Sequence, residues 1–78
     1  MLVDIITPDK ELFSGSIVSI ELPGSDGSFE ILNNHAPIIA TLSGGKITIA
    51  LENDKKESFE VNGGVVETQN NKIIVLVD

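Results

Sequence analysis

His35 is the single histidine of the chain, and Ser25, Asp26 and Ser28 stand shortly before it. These are the residue types from which a nucleophile, its general base and an orienting carboxylate are built. Such a nucleophile also needs a strained strand–turn–helix elbow to expose it, and no helical pattern here supplies one. A metal centre fares no better. There is no cysteine, one histidine cannot make a multi-histidine site, and neither HExxH nor facial-triad spacing occurs. Gly44-Gly45 and Gly63-Gly64 do not continue to Lys-Ser/Thr or open a helix, so they read as turns and not as phosphate cradles. The run Asp54 to Glu57 lacks calcium-loop spacing and reads as a solvated hairpin tip. Its lysines also lack the Met-Lys-Met or Asp-Lys-Ala tip, between two similar halves, of a biotin or lipoyl carrier. A chain of 78 residues is small for enclosing a ligand pocket. No catalytic residue, metal ligand or cofactor site is therefore expected. His35 reads as a loop residue whose ring caps a turn or fills a contact.

These polar residues belong to one stretch, Gly24 to Pro37, around which the other elements are arranged. Gly24-Ser25-Asp26-Gly27 has the composition of a tight turn. Phe29 to Leu32 is a short apolar run broken by Glu30. Asn33-Asn34 is the next turn, because asparagine tolerates the left-handed region. Pro37 then forces Ala36 to be extended. Two polar turns thus bracket a four-residue strand, and displayed loops are where function concentrates.

The rest of the chain must position that stretch. Leu2 to Ile6 is a first strand, with Val3 and Ile5 on one face. Thr7 to Lys10 is a turn set by Pro8. Glu11 to Phe13 is short and extended, and Ser14-Gly15-Ser16 turns the chain again. Ile17 to Leu22 alternates, with Val18, Ile20 and Leu22 expected inward, and Pro23 ends it. Ile38 to Leu42 is apolar on both parities. Lys46 to Glu52, Glu57 to Asn62, Val65 to Thr68 and Lys72 to Val77 follow, separated by turns at 43–45, 53–56, 63–64 and 69–71. Short strands at this spacing predict an all-β fold. The expectation is a single domain over residues 1–78, a small β-sandwich of eight to ten short, mostly antiparallel strands with essentially no helix.

Composition excludes whole classes of function. Twelve acids face five lysines and no arginine, for a net charge of −7. A nucleic-acid binder needs a positive footprint, and stacking rings if it takes single strands; this chain has three Phe, no Tyr and no Trp. No apolar run approaches the roughly 20 residues of a transmembrane helix. No basic-then-apolar leader is visible, which suggests a cytoplasmic protein. An apolar content of 41% fits a folded domain. One feature goes beyond fold class. Several strands are apolar on both faces: Leu2/Val3 with Ile5/Ile6, Ile17/Val18, Ile38/Ile39, Val65/Val66 and residues 73–77. A small sandwich cannot cover all of that surface with its own chain; either this is ordinary scattered apolar surface with strand ends buried on both sides, or one outer face docks on a partner. The segment KIIVLV would be an aggregation hazard as a bare edge, so it should be central or covered.

The frame formed by D-I-I-T-P (4–8), L-F-S-G (12–15), V-S-I-E-L-P-G-S-D-G-S-F-E-I-L-N-N-H-A-P (18–37), L-S-G-G-K-I-T-I (42–49), F-E-V-N-G-G-V-V-E (59–67) and I-I-V-L-V-D (73–78) resembles the N-terminal β-sandwich domain of the rotary ATP synthase epsilon subunit. The resemblance runs from Leu2 to Asp78, in order and with nearly the same turn lengths. It implies a ten-stranded sandwich on the foot of the rotating central stalk, against the gamma subunit and above the membrane-embedded c-ring. It implies that Gly24, Ser25, Asp26, Gly27 and Ser28 approach the polar loops of the c-ring. It implies that Thr7, His35, Ala36, Pro37, Ile38 and Ala40 face gamma. The implied role is non-catalytic: to help couple proton flow to rotation and so to ATP synthesis elsewhere in the complex. The implied location is the cytoplasmic face of a bacterial inner membrane, within a peripheral complex, and not as a functional homo-oligomer. Family members usually carry Pro-Gly at Asn33-Asn34 and Gly at Glu30. They usually continue into a C-terminal helical hairpin, so hairpin inhibition and ATP binding are not expected of this sequence. The alternative from another class is a free-standing binding or carrier sandwich.

Overall fold

The computed structural model describes residues 1–78 as nine strands and no helix. They are β1 (Leu2–Ile6), β2 (Glu11–Ser16), β3 (Ser19–Leu22), β4 (Phe29–Leu32), β5 (Ile38–Leu42), β6 (Gly45–Ala50), β7 (Lys56–Val61), β8 (Gly64–Gln69) and β9 (Lys72–Val77). They form two sheets, a five-stranded one in the order β2-β1-β9-β8-β5 and a four-stranded one in the order β4-β3-β6-β7. Every pairing is antiparallel except that of β1 with β9. A tenth strand is reduced to one bridge, Gly24 to Leu42, on the free side of β5. The expected all-β sandwich is therefore observed.

Alternation decides the core. Val3 and Ile5, Ile73, Val75 and Val77, Val66 and Leu42 point from the larger sheet into the interior. Ile20 and Leu22, Ile31, Ile47, Ile49 and Val61 meet them from the smaller sheet. Phe13 and Phe59 close one side, with ring centroids 6.3 Å apart and tilted by 57°. The KIIVLV segment is β9, the middle strand of the larger sheet, so both its edges are paired. This disposes of the hazard of a bare apolar edge.

Several boundaries differ from the sequence expectation. Ser14-Gly15-Ser16 is strand and not turn, because these residues pair with Asp4, Val3 and Leu2 of β1. The chain instead leaves the sheet at Ile17-Val18, where Ile17 N–H donates to Met1 C=O and Val18 N–H to Ala50 C=O. That crossing interrupts the alternation. Ile17 is buried, while Val18, expected inward, is 44% exposed. A bulge between Ile5 and Ile6 pairs them with Phe13 and Glu11, so Leu12 is the extra residue of β2 and also packs on the core. Gln69 belongs to β8, opposite Lys72, and the turn tightens to Asn70-Asn71, both with positive φ. β6 ends at Ala50 and β7 begins at Lys56, so the hairpin tip is Leu51 to Lys55.

Candidate functional site

Each residue singled out in the sequence has a definite place. The turn at 24–27 closes through Gly27 N–H to Gly24 C=O, at 3.0 Å. It is tied to β5 by Ser25 N–H to Thr41 C=O and by Thr41 Oγ1 to Ser25 Oγ, both at 3.0 Å. Gly24 is buried; Ser25, Asp26, Gly27 and Ser28 are exposed. A Cβ on Gly24 would stand 2.5 Å from the carbonyl oxygen of Gly27 and 2.7 Å from the Phe29 ring, so the turn has room only for glycine there.

His35, Ala36 and Pro37 are exposed. The His35 ring nitrogen Nδ1 lies 2.7 Å from its neighbour's carbonyl, Ala36 C=O, and His35 N–H donates to Leu32 C=O. His35 thus caps its own turn, and no hydrogen bond joins it to Ser25, Asp26 or Ser28. The preceding Asn33-Asn34 turn, with Asn34 at φ 62°, is anchored by Asn34 N–H to Asn71 Oδ1. Thr7 lies elsewhere. Its Oγ1 accepts from the N–H groups of Asp9 and Lys10 and donates to Lys10 C=O, which pins the β1–β2 turn.

The registers show which of these residues share a neighbourhood. Thr7 follows Ile6 at the end of the larger sheet where Leu42, Gly64 and Val77 align. His35 to Pro37 precede Ile38, which aligns with Thr68 and Ile73 near the other end. The set Thr7, His35, Ala36, Pro37, Ile38 and Ala40 therefore spans the length of a strand, about 15 Å by the usual rise. Within β5, Ile38 and Ala40 sit on the inward parity and are half-buried. Ile39, between them, is 73% exposed. The turn at 24–27 and β5 share one groove, lined also by Phe29.

The two outer faces differ in chemistry. Across the larger sheet, Ile6, Leu76, Val65 and Thr41 form one row, and Asp4, Ile74, Glu67 and Ile39 form the next. Leu2, Lys72 and Gln69 form the last. The first row is apolar apart from one hydroxyl, and Leu76 within it is 52% exposed. On the smaller sheet the outward row Glu30, Glu21, Thr48 and Ser58 is followed by Lys46 opposite Glu60. Thr48 and Ser58 hydroxyls hydrogen-bond across it, at 3.2 Å. Among the exposed large apolar residues, Leu2, Ile39, Val65 and Leu76 lie on the larger sheet, against Leu32 alone on the smaller. Sequence reasoning named Ile39, Val65 and the 73–77 run that holds Leu76 among the two-faced strands, but did not place them on one face. The signal was the second apolar parity in β5, β8 and β9, which only the registers assemble into one face.

No cluster of three or more His, Cys, Asp or Glu side chains is placed to hold a metal ion. No helix is long and apolar enough to cross a membrane.

The fold and this surface define a two-sheet β-sandwich domain whose larger sheet carries one apolar outer row, flanked by rows that mix apolar and charged residues, and whose smaller sheet is charged and hydroxylic outside. Residues 1–78 match the family model described as "ATP synthase, Delta/Epsilon chain, beta-sandwich domain", and the chain belongs to that family. It is 42% identical to the ATP synthase epsilon chain of Chlorobium limicola, over 97% of this chain and 86% of that one. It is 41% identical to the epsilon chain of Dichelobacter nodosus, of which it covers 53%. Among solved structures it superposes on a chain of the Tetrahymena thermophila mitochondrial ATP synthase central stalk and c-ring assembly. That match has a TM-score of 0.78 and 25% identity, over 97% of this chain and 61% of that one. A chain of the Euglena gracilis mitochondrial ATP synthase shares the fold, with a TM-score of 0.91 at 16% identity, over 96% of this chain and 48% of that one.

Proposed function

We propose that this chain is the epsilon-type, non-catalytic component of the central stalk of a rotary, proton-driven ATP synthase. It seats the apolar outer face of its five-stranded sheet on the gamma subunit. The Ser25 to Ser28 turn approaches the c-ring, and Gly24 holds the turn's base. Thr7 and the His35 to Pro37 loop flank the gamma contact at its two ends. Ile38 and Ala40 support it from beneath, and Ile39 supplies the exposed contact of β5. Through these contacts the domain transmits rotation driven by proton flow to the catalytic part of the complex. The complex is peripheral to the membrane, on its cytoplasmic side.

The observation that carries this reading is the contrast between the outer faces. An apolar row against a charged one is the pattern of a surface with one partner-facing side. Membership of the family and the central-stalk and c-ring assembly among the structural neighbours support a partner within the rotor, and gamma is the one proposed here. A free-standing binding or carrier module has less support, since three grooves of the surface are only partly enclosed and none gathers a cluster of metal-ligating side chains.

Calorimetric titration of the full chain into purified gamma subunit tests the proposal. The expected result is a one-to-one complex with a negative heat-capacity change, the mark of apolar burial. No heat and no co-elution, from a chain whose circular dichroism shows intact β structure, overturns it.

A further inference from the structure

The two sheets leave four edge strands, and three of them carry charge: Glu11 on β2, Glu30 on β4, and Lys56, Glu57 and Glu60 on β7. β5, with the sequence IIATL, carries none. Charges on an edge are the usual guard against pairing with another strand. An edge without them is guarded by other means, such as a proline or a covering loop, or it accepts a strand where that cover stops.

The hydrogen-bond pattern shows what this edge offers. Thr41 C=O points away from β8 and accepts from Ser25 N–H, so the odd-numbered residues of β5 face the free side. Backbone groups of one residue in an antiparallel strand point to the same side, so the N–H and C=O of Ile39 face it too. Neither Ile39 group takes part in a turn or loop hydrogen bond. Ser25 covers only the Thr41 end. Beyond it the edge opens into the groove between β5 and the 24–27 turn, where Phe29, Ile38 and Ala40 give an apolar lining. The side chain of Ile39 stands opposite Glu67, in the outer row that goes on to Ile74, and beside the row of Val65, Leu76 and Ile6. The unpaired edge therefore adjoins the apolar row of the face assigned to gamma, on the side of Ile39 away from Glu67's charge.

We infer that β5 accepts a strand from the gamma subunit. A short, extended, uncharged segment of that partner adds to the edge at Pro37 to Thr41 and becomes the sixth strand of the larger sheet. Its backbone pairs with Ile39 N–H and C=O. Its side chains fall alternately over Ile38 and Phe29 on one side and beside Ile39 on the other. The inference rests on the docking proposed above and adds its mode.

The test is amide hydrogen exchange of the full chain, free and in complex with purified gamma. Slowed exchange at the Ile39 amide in the complex is expected, because that N–H gains an acceptor. Binding without protection at Ile39 overturns strand addition and leaves face docking standing. No binding overturns both. Protection of Ile39 in the free chain that rises with concentration makes a second copy the occupant, and overturns the inference. A pair of variants gives a second readout. Ile39→Ala removes the side chain and keeps the N–H; Ile39→Pro removes the N–H, which β8 does not use. Strand addition predicts binding about ten-fold or more weaker for Ile39→Pro than for Ile39→Ala. Equal affinities from two folded variants count against it.

Discussion

Two adjacent isoleucines, replaced in turn by aspartate, should fail in different ways. Ile38 is half-buried on the inward parity of β5, in line with buried Thr68 and Ile73. Its loss forfeits about half of the 1.5–3 kcal/mol that full burial of such a side chain contributes. A carboxylate at a half-buried apolar position adds a desolvation cost of about 1–2 kcal/mol. Ile38→Asp should therefore cost about 2–3 kcal/mol, from a domain whose total stability is about 4–12 kcal/mol. In a domain of this size that lowers the melting temperature by about 10–20 °C. Ile39 is 73% exposed, so Ile39→Asp removes little burial. Its cost is the lower strand propensity of aspartate and the like charge of Glu67 opposite it, together about 1–2 kcal/mol and a shift of about 5–10 °C. In the docked state the order reverses. The new carboxylate would stand opposite Glu67 and beside Val65, under the partner, so Ile39→Asp should weaken gamma binding about ten-fold or more. Thermal melts by circular dichroism and titration calorimetry on both variants separate the cases. An Ile38→Asp protein that melts like the parent refutes the facing of β5. A folded Ile39→Asp protein that binds gamma unchanged refutes the docking face.

Three further outcomes are expected. Gly24→Ala should lose about 1–3 kcal/mol in chemical denaturation, since its Cβ would collide with the Phe29 ring 2.7 Å away; a melt unchanged from the parent would mean that the turn yields freely. His35→Ala should stay within about 1 kcal/mol of the parent, because the exposed ring reaches only its neighbour's carbonyl; a loss of several kcal/mol in the same assay would mark it as a buried partner. Ile49→Ala, at a fully buried position of β6, should cost about 2–5 kcal/mol and drop the denaturation midpoint without changing the slope.

Most of the fold was legible because the core obeys a period of two. Val3 and Ile5, Ile20 and Leu22, and Ile47 and Ile49 point inward as alternation requires. Alternation failed where the chain changes sheets. At Ile17-Val18 the strand reading put Val18 inside, but the crossing to β3 turns Ile17 inward instead. It failed again at Ser14 to Ser16, whose turn-like composition yields to pairing with β1, a long-range contact that composition does not encode. The candidate site was legible in parts and not as a surface. The turns at 24–27 and 33–34 could be read from glycine and asparagine, which take left-handed backbone cheaply. That Ile39, Val65 and Leu76 lie on one face depends on which residue of each strand stands opposite which. Register is a property of the assembled sheet, and no local pattern carries it.

The apolar outer face follows from the position of β9. A strand with apolar residues on both parities must be central, or its edge would recruit other chains. Being central in a two-layer sandwich covers only its inner side. Ile74 and Leu76 are therefore turned outward by the same placement that buries Ile73, Val75 and Val77. The cost is tolerable only if something covers them. Leu2, Ile6, Ile39, Val65, Ile74 and Leu76 are half-buried or exposed. Covering the remainder of each contributes about 1 kcal/mol, or roughly 6 kcal/mol together. Association costs about 4–15 kcal/mol in lost translational and rotational freedom. The face alone is thus marginal as a docking surface, and directional contacts must complete it. The unpaired backbone of Ile39, beside that face and on the one uncharged edge, is where the chain itself offers them.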